Sequence, residues 1–313
     1  MGFWFSQPDS RTFASLRAGW RVAVFVLLAA GIPGALVMLA LLLRTQAGAA
    51  AATGGGLVSP WMTAINEAVL FFWILFITWI MARLERRPLG SYGLRGRQVF
   101  GGMFWRGVLW GVIALSVLLL LIFFSGDMAF GDLVLRGAAI PRFGLEWALS
   151  FLAVGFFEEY CFRGYALTTL SQGTGFWTAA IILSAGFGGV HLFNGGEAWM
   201  GALSAGLIGL FFCFTWQRTG SLWFAVGMHA AWDFCESWVY GVPDSGTISR
   251  GRLLQPTFHG SHWITGGSIG PEGSLWVFLI VALLFALFAD LYPARHPPGV
   301  AQVAQEASAT DPT

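Results

Sequence analysis

WALSFLAVGFFEEYCFRGYALTTL, residues 147–170, is apolar for most of its length, yet Glu158, Glu159 and Arg163 stand near its middle. A stretch of about 20 mostly apolar residues is long enough to cross a bilayer as a helix. An ionisable group at the centre of such a helix costs about 2.5–3.5 kcal/mol on insertion scales. That cost persists where the group has a partner and, by default, a function. Glu159 and Arg163 are four residues apart, so they share a helix face and can pair. Glu158 lies about 100° further round the helix, with no cation on its own face. A carboxylate without a local cation is a candidate general base. A buried ion pair that fixes helix packing accounts for Glu159 with Arg163, but leaves the adjacent carboxylate without a reason.

The rest of the chain reads the same way. Of its 313 residues, 56% are hydrophobic and 11% charged, with a mean hydropathy of +0.69. Soluble domains carry about 25% charged residues. Eight segments resemble spans: 22–43, 63–82, 107–124, 147–170, 176–193, 199–216, 221–240 and 274–292. The expected fold class is an all-α polytopic membrane protein, a bundle of about eight transmembrane helices. Residues 1–146 supply the first three helices and their loops. Residues 147–292 form a catalytic membrane core, and 293–313 a disordered tail. The net charge of +1 excludes nucleic acid as a partner. Three cysteines, Cys161, Cys213 and Cys235, all in apolar stretches, give no disulfide framework.

Arg11, Arg17 and Arg21 precede the first segment, which at 22–43 is longer than the apolar region of about 7–15 residues in a signal peptide. It reads as an uncleaved span. Six arginines between 83 and 106 mark a cytoplasmic connection, so both termini fall inside an inner membrane. Arg250 and Arg252, in the long loop 241–273, run against that orientation. The Ala/Gly-rich stretch from Arg44 to Pro60 is a flexible external loop. Trp20, Trp61, Trp105, Trp147, Trp177, Trp199, Trp223 and Trp276 lie near segment ends, where interfacial belts form.

Two further segments carry polar groups. Phe187-Gly188-Gly189-Val190-His191 ends the fifth, and its glycines allow close helix approach. His229 and Asp233, four apart on the seventh, share a face, and the carboxylate can orient the imidazole. Each has a bland alternative, a hydrogen bond closing a packing seam. Together the three clusters hold the parts of a water-activating site: a glutamate and histidine to deprotonate water, and a second histidine for a developing oxyanion. Glu158, His191, His229 and Asp233 are equally a candidate zinc set, with a metal-free route beside it. HExxH is absent, which removes the soluble zincin pattern. Cys161 in apolar surroundings is an inert thiol rather than a nucleophile. His259 and His262 in the loop 241–273 read as solvent-facing, and the loop itself as a lid or re-entrant.

The order EExxxR, FxxxH and HxxxD on successive apolar segments resembles the CAAX protease and bacteriocin-processing family of intramembrane endopeptidases, also called CPBP or Abi. The resemblance covers roughly 147–240. It implies that Glu158 activates water assisted by His191, that Glu159 and Arg163 support it, and that His229 and Asp233 stabilise the oxyanion. Its members are described both as metalloproteases and as metal-free glutamate enzymes. The last motif position holds Asp233, where the family also accepts Asn; an ionised Asp cannot donate a hydrogen bond to an oxyanion. The implied substrate is a membrane-associated peptide or protein, with the lipid bilayer as surrounding. Two other readings compete: a proton-coupled transporter, which intramembrane Glu and His also serve, and a non-catalytic scaffold. The absence of an internal repeat counts against the transporter.

Overall fold

The computed structural model describes residues 17–43, 57–192 and 199–294. The expected external loop over 44–56, the tail from 295 and Arg11 lie outside those residues. The described chain is mostly helical, with one two-stranded ribbon and irregular loops. Its helices are α1 Ala18–Leu43, α2 Pro60–Leu84, α3 Gly102–Phe124, α4 Ala139–Tyr160, α5 Leu167–Thr174, α6 Phe176–His191, α7 Trp199–Thr219, α8 Trp223–Asp233, α9 His262–Thr265 and α10 Leu275–Leu291. Strand β1, Met128–Leu133, pairs antiparallel with β2, Leu254–Phe258.

Four helices among the described residues are long and apolar enough to cross a membrane: Pro60–Leu84, Gly102–Phe124, the run Ala139–Thr174, and Trp199–Thr219. The apolar helices Phe176–His191 and Leu275–Leu291 are shorter, whereas α1 has 26 residues. Among the described residues, spanning length and composition together hold for four of the eight expected segments. The physical reason is plain in α6: its 16 residues rise about 24 Å at 1.5 Å each, short of a hydrocarbon core about 30 Å thick.

Leu, Ile and Phe side chains stay half exposed along the outer faces of α2 and α3, including Ile65, Phe72, Phe76, Leu109 and Ile113. In water this would be a large apolar patch; in lipid it is the ordinary outer surface. Inside, Leu115, Leu118, Phe211, Phe224, Val281 and Phe288 pack α3, α7, α8 and α10 together. A second cluster joins Phe25 of α1, Ile77 and Met81 of α2, and Tyr160 and Tyr165. Backbones approach closely where glycine permits. A Cβ at Gly111 would collide with the Met228 carbonyl of α8, and one at Gly188 with the Ala202 carbonyl of α7.

Two of the expected interfacial tryptophans are buried instead. Trp147 donates from Nε1 to the Arg250 carbonyl at 2.9 Å, and Trp223 to the Arg95 carbonyl at 3.3 Å. Each braces a loop against a helix, which satisfies the indole N–H away from water. Arg21 is likewise drawn inward. It pairs with Glu85 at 3.1 Å and donates to Gln172 at 2.8 Å. Glu85 also accepts from the Tyr165 and Tyr92 hydroxyls, which ties α1, α2 and the segment after α4 into one knot. Burial, and then the Glu85 charge, pushes the Tyr92 phenol up to about 12.

Candidate active site

The expected helix 147–170 is built in three parts. α4 runs to Tyr160, a π-helical turn covers Cys161–Ala166, and α5 follows. Gly164, at φ −75° and ψ −109°, leaves helical geometry inside that turn. A second π-helical stretch, Phe234–Val239, begins directly after Asp233. Each wide turn thus follows a polar motif. π-turns are rare, and they cluster at functional sites.

Arg163 sits in the first wide turn, fully buried, with Nη1 at 3.1 Å from Glu159 Oε1. Its guanidinium lies over the Phe187 ring, 4.3 Å from the centroid. A Cβ at Gly209 would collide with Nη2, so α7 leaves the room that the guanidinium fills. Charge pairing and an aromatic face together offset the desolvation of this arginine.

Glu159 Oε1 also faces His229 Nδ1 at 2.9 Å. The other side of the same ring, Nε2, lies 3.6 Å from Glu158 Oε2 and 3.5 Å from Asp233 Oδ2. His229 is therefore the hub of three carboxylates, with its ring stacked on Phe212. His191 Nδ1 lies 2.8 Å from the Phe187 carbonyl. A carbonyl only accepts, so Nδ1 carries the hydrogen, and in the neutral ring Nε2 keeps its lone pair. The Phe187 ring stands between the two imidazoles, with centroids 4.7 Å from His191 and 6.5 Å from His229.

Glu158, His191, His229 and Asp233 line one cavity of about 460 Å³. The structure thus joins Glu158, Glu159, Arg163, His229 and Asp233 in one network, and puts His191 on the same wall. The loop after α8 contributes Asp244, Ser245, Thr247, Ser249 and Glu272 to the lining, so it roofs the cavity. Cys161 does not line it; the thiol packs with the Tyr160 cluster. His259 and His262 are exposed.

Three carboxylates near the site were not among the expected site residues. Glu67, in the middle of α2, lies within electrostatic reach of Glu158 and His229, and its Oε2 is buried without a partner. The signal was a lone glutamate in an otherwise apolar span, the same cost that marked Glu158. Asp244 and Glu272 sit in a polar loop, where a carboxylate carries no such mark. Burial, and then the Glu272 charge, pushes Asp244 up to about 7. Burial raises Glu272 as well.

A zinc held by Glu158, His191, His229 and Asp233 needs their ligand atoms to converge tetrahedrally about 2 Å from the ion. Among the described residues, the group whose possible ligand atoms all lie within 4.8 Å of one another is Glu236, Asp244 and Glu272. Among the motif residues the hydrogen bonds run from Arg163 to Glu159 and between Glu159 and His229, while Glu158 and Asp233 stand 3.6 and 3.5 Å from His229 Nε2.

Residues 140–235 match the family model for type II CAAX prenyl endopeptidase Rce1-like proteins. This segment is similar to the CAAX protease family. The match contains Glu158, Glu159, Arg163, His191, His229 and Asp233, so it covers the whole motif network. Proteins of that family are proteases, hydrolases that act on a peptide or protein substrate at a membrane. No curated protein and no solved structure matches the chain. Within the matched segment the first wide turn begins two residues after Glu159, and the second directly after Asp233.

Proposed function

We propose that the protein is an intramembrane endopeptidase that hydrolyses a peptide bond in a membrane-associated peptide or protein, with water activated by Glu158 and His191. The observation that carries this reading is the hub at His229, whose two nitrogens face Glu159 on one side and Glu158 with Asp233 on the other, on the wall of the cavity.

In the proposed reaction, Glu158 takes a proton from water, and the water oxygen attacks the substrate carbonyl carbon. His191, with Nε2 as acceptor, helps orient that water. His229 carries hydrogens toward its carboxylate neighbours and offers a positive, donor-rich edge to the developing oxyanion. Asp233 orients that ring rather than donating to the oxyanion itself, which reconciles Asp at a position where Asn also serves. The proton on Glu158 then passes to the leaving amine as the carbon–nitrogen bond breaks. Arg163 pairs with Glu159, and Glu159 fixes the Nδ1 side of His229. No step is routed through a metal, and the zinc expectation becomes an arm of the test.

The apolar helices Ala18–Leu43, Phe176–His191 and Leu275–Leu291, with Trp223–Val239, complete the proposed bundle of eight. The arginines at 83–106 place that connection, and both termini, on the cytoplasmic side of the inner membrane.

The test compares purified wild type and Glu158→Gln on a membrane-peptide library, with and without exhaustive chelation. Cleavage lost in the variant and retained under chelation is the expected result. Equal cleavage by both proteins removes Glu158 as the base, and loss under chelation restores the zinc route. Glu158-dependent proton flux without cleavage would replace the peptidase by a carrier.

A further inference from the structure

Beside the motif network lies a second buried polar group with a different character. Glu236, in the wide turn after α8, offers a carboxylate oxygen within 4.8 Å of oxygens from Asp244 and Glu272. Each of the three is oriented by a neutral donor. Trp232 Nε1 donates to Glu236 Oε2 at 2.8 Å, Ser237 to Asp244 Oδ2 at 2.8 Å, and Ser245 to Glu272 Oε2 at 3.1 Å. Among the described residues none of the three is paired with an arginine, lysine or histidine. Glu236 is 0% exposed, and its Oε1 is buried with no partner. That atom faces the loop carrying the other two acids: a Cβ on Gly270 would stand 3.4 Å from it. A fully buried carboxylate oxygen with no donor is unusual, because leaving such a group unsatisfied costs free energy. Asp244 and Glu272 line the catalytic cavity, which gives an ion a way in.

We propose that Glu236, Asp244 and Glu272 bind a divalent cation of the calcium type. The ion fastens both ends of the 241–273 loop to the helix that carries His229 and Asp233. Oxygen ligands about 2.3–2.6 Å from one ion stand a few ångströms apart, which matches the spacing of these atoms. An all-oxygen set without nitrogen or sulfur favours a hard cation over zinc. The neutral donors behind each carboxylate are the supporting partners that ligating carboxylates require. The inference does not depend on the peptidase reading, because it uses none of the motif residues.

The test uses full-length protein in detergent, stripped with a calcium chelator and titrated with terbium as the probe. Trp232, hydrogen-bonded to Glu236, is placed to sensitise terbium luminescence. The expected result is a saturable signal displaced by calcium, with affinity weakened at least about tenfold in Asp244→Asn and in Glu272→Gln, and unchanged in Glu158→Gln. A signal that does not saturate, or equal affinity in wild type and both loop variants, overturns the site and leaves shared protons to balance the three acids. Wild type alone gives a second reading that needs no variant to fold. Calcium raises its unfolding temperature if the site exists, and an unmoved midpoint up to millimolar calcium overturns it. Loss of cleavage in Glu158→Gln with terbium binding kept separates this site from the reaction.

Discussion

The cavity has two polar ends, and they balance charge in opposite ways. At the motif end, Glu159 pairs with Arg163 and all three of Glu158, Glu159 and Asp233 ring His229, so basic partners are built into the chain. At the loop end, Glu236, Asp244 and Glu272 face neutral serines and a tryptophan. Each end has fully buried charged groups, Glu159 and Arg163 at the first and Glu236 at the second, which cannot leave their charge to solvent. The first end is a closed circuit, whose protons can move among its own groups. The second is open, and it calls for something from outside. Burial alone therefore does not distinguish a reaction centre from a binding site; the inventory of countercharges does.

The largest expected effect breaks the motif end at its proposed base. Glu158→Gln keeps the shape and removes that group, and cleavage should fall by about 10²–10⁴-fold, the usual worth of a general acid–base group. Measured kcat on a cleavable membrane peptide gives the number, and an unchanged value removes Glu158 from the mechanism. Arg163→Met attacks the same end through its balance. It strands Glu159 as a buried charge, and the stability loss should be about 3–5 kcal/mol. Thermal unfolding in detergent reads it, and adding Glu159→Gln to the same chain should return much of the loss. A double variant as unstable as the single one would show that packing, not charge, holds Arg163.

The motif end was legible in the sequence because lipid makes every charge conspicuous. Glu158, Glu159, Arg163, His229 and Asp233 stood out against apolar neighbours, and spacing along each helix named two pairs, Glu159 with Arg163 and His229 with Asp233; the contacts of His229 with Glu158 and Glu159 cross between helices and were not legible. His191 was legible for the same reason. Glu67 obeyed the identical rule, yet a single glutamate without a local partner gave no pairing to read. The wide turns at Cys161–Ala166 and Phe234–Val239 were not legible, since they come from tertiary contacts rather than from a helix-breaking residue at each start. Nor were Asp244 and Glu272, which meet only because the loop folds back over α8. In a polar loop an acid costs nothing until the fold buries it. Trp147 and Trp223 failed in the other direction: their place in the sequence suggested an interface, and the bundle buried them.

A smaller effect sharpens the role of Asp233. Its Oδ2 contacts His229 Nε2, so an amide there can still orient the ring. Asp233→Asn should keep kcat/KM within about tenfold, while Asp233→Ala should lose about 1–3 kcal/mol of transition-state stabilisation, as removal of a buried partner does. Equal loss in both would mean that the charge itself is needed, and would return attention to a metal.

The smallest expected effect concerns Cys161, two residues beyond Glu159. Sequence proximity alone makes this thiol a rival nucleophile, since thiolates are intrinsically reactive. The fold argues otherwise on two grounds. Cys161 begins the wide turn and packs with Tyr160 and its neighbours rather than lining the cavity. No histidine is within hydrogen-bonding contact of its sulfur among the described residues, so nothing is placed to take its proton. Cys161→Ala should leave kcat unchanged and cost about 1 kcal/mol of stability, the common loss for one truncated side chain. A fall in kcat of the size expected for Glu158→Gln would move the nucleophile from water to sulfur. It would also reduce the His229 hub to scaffolding.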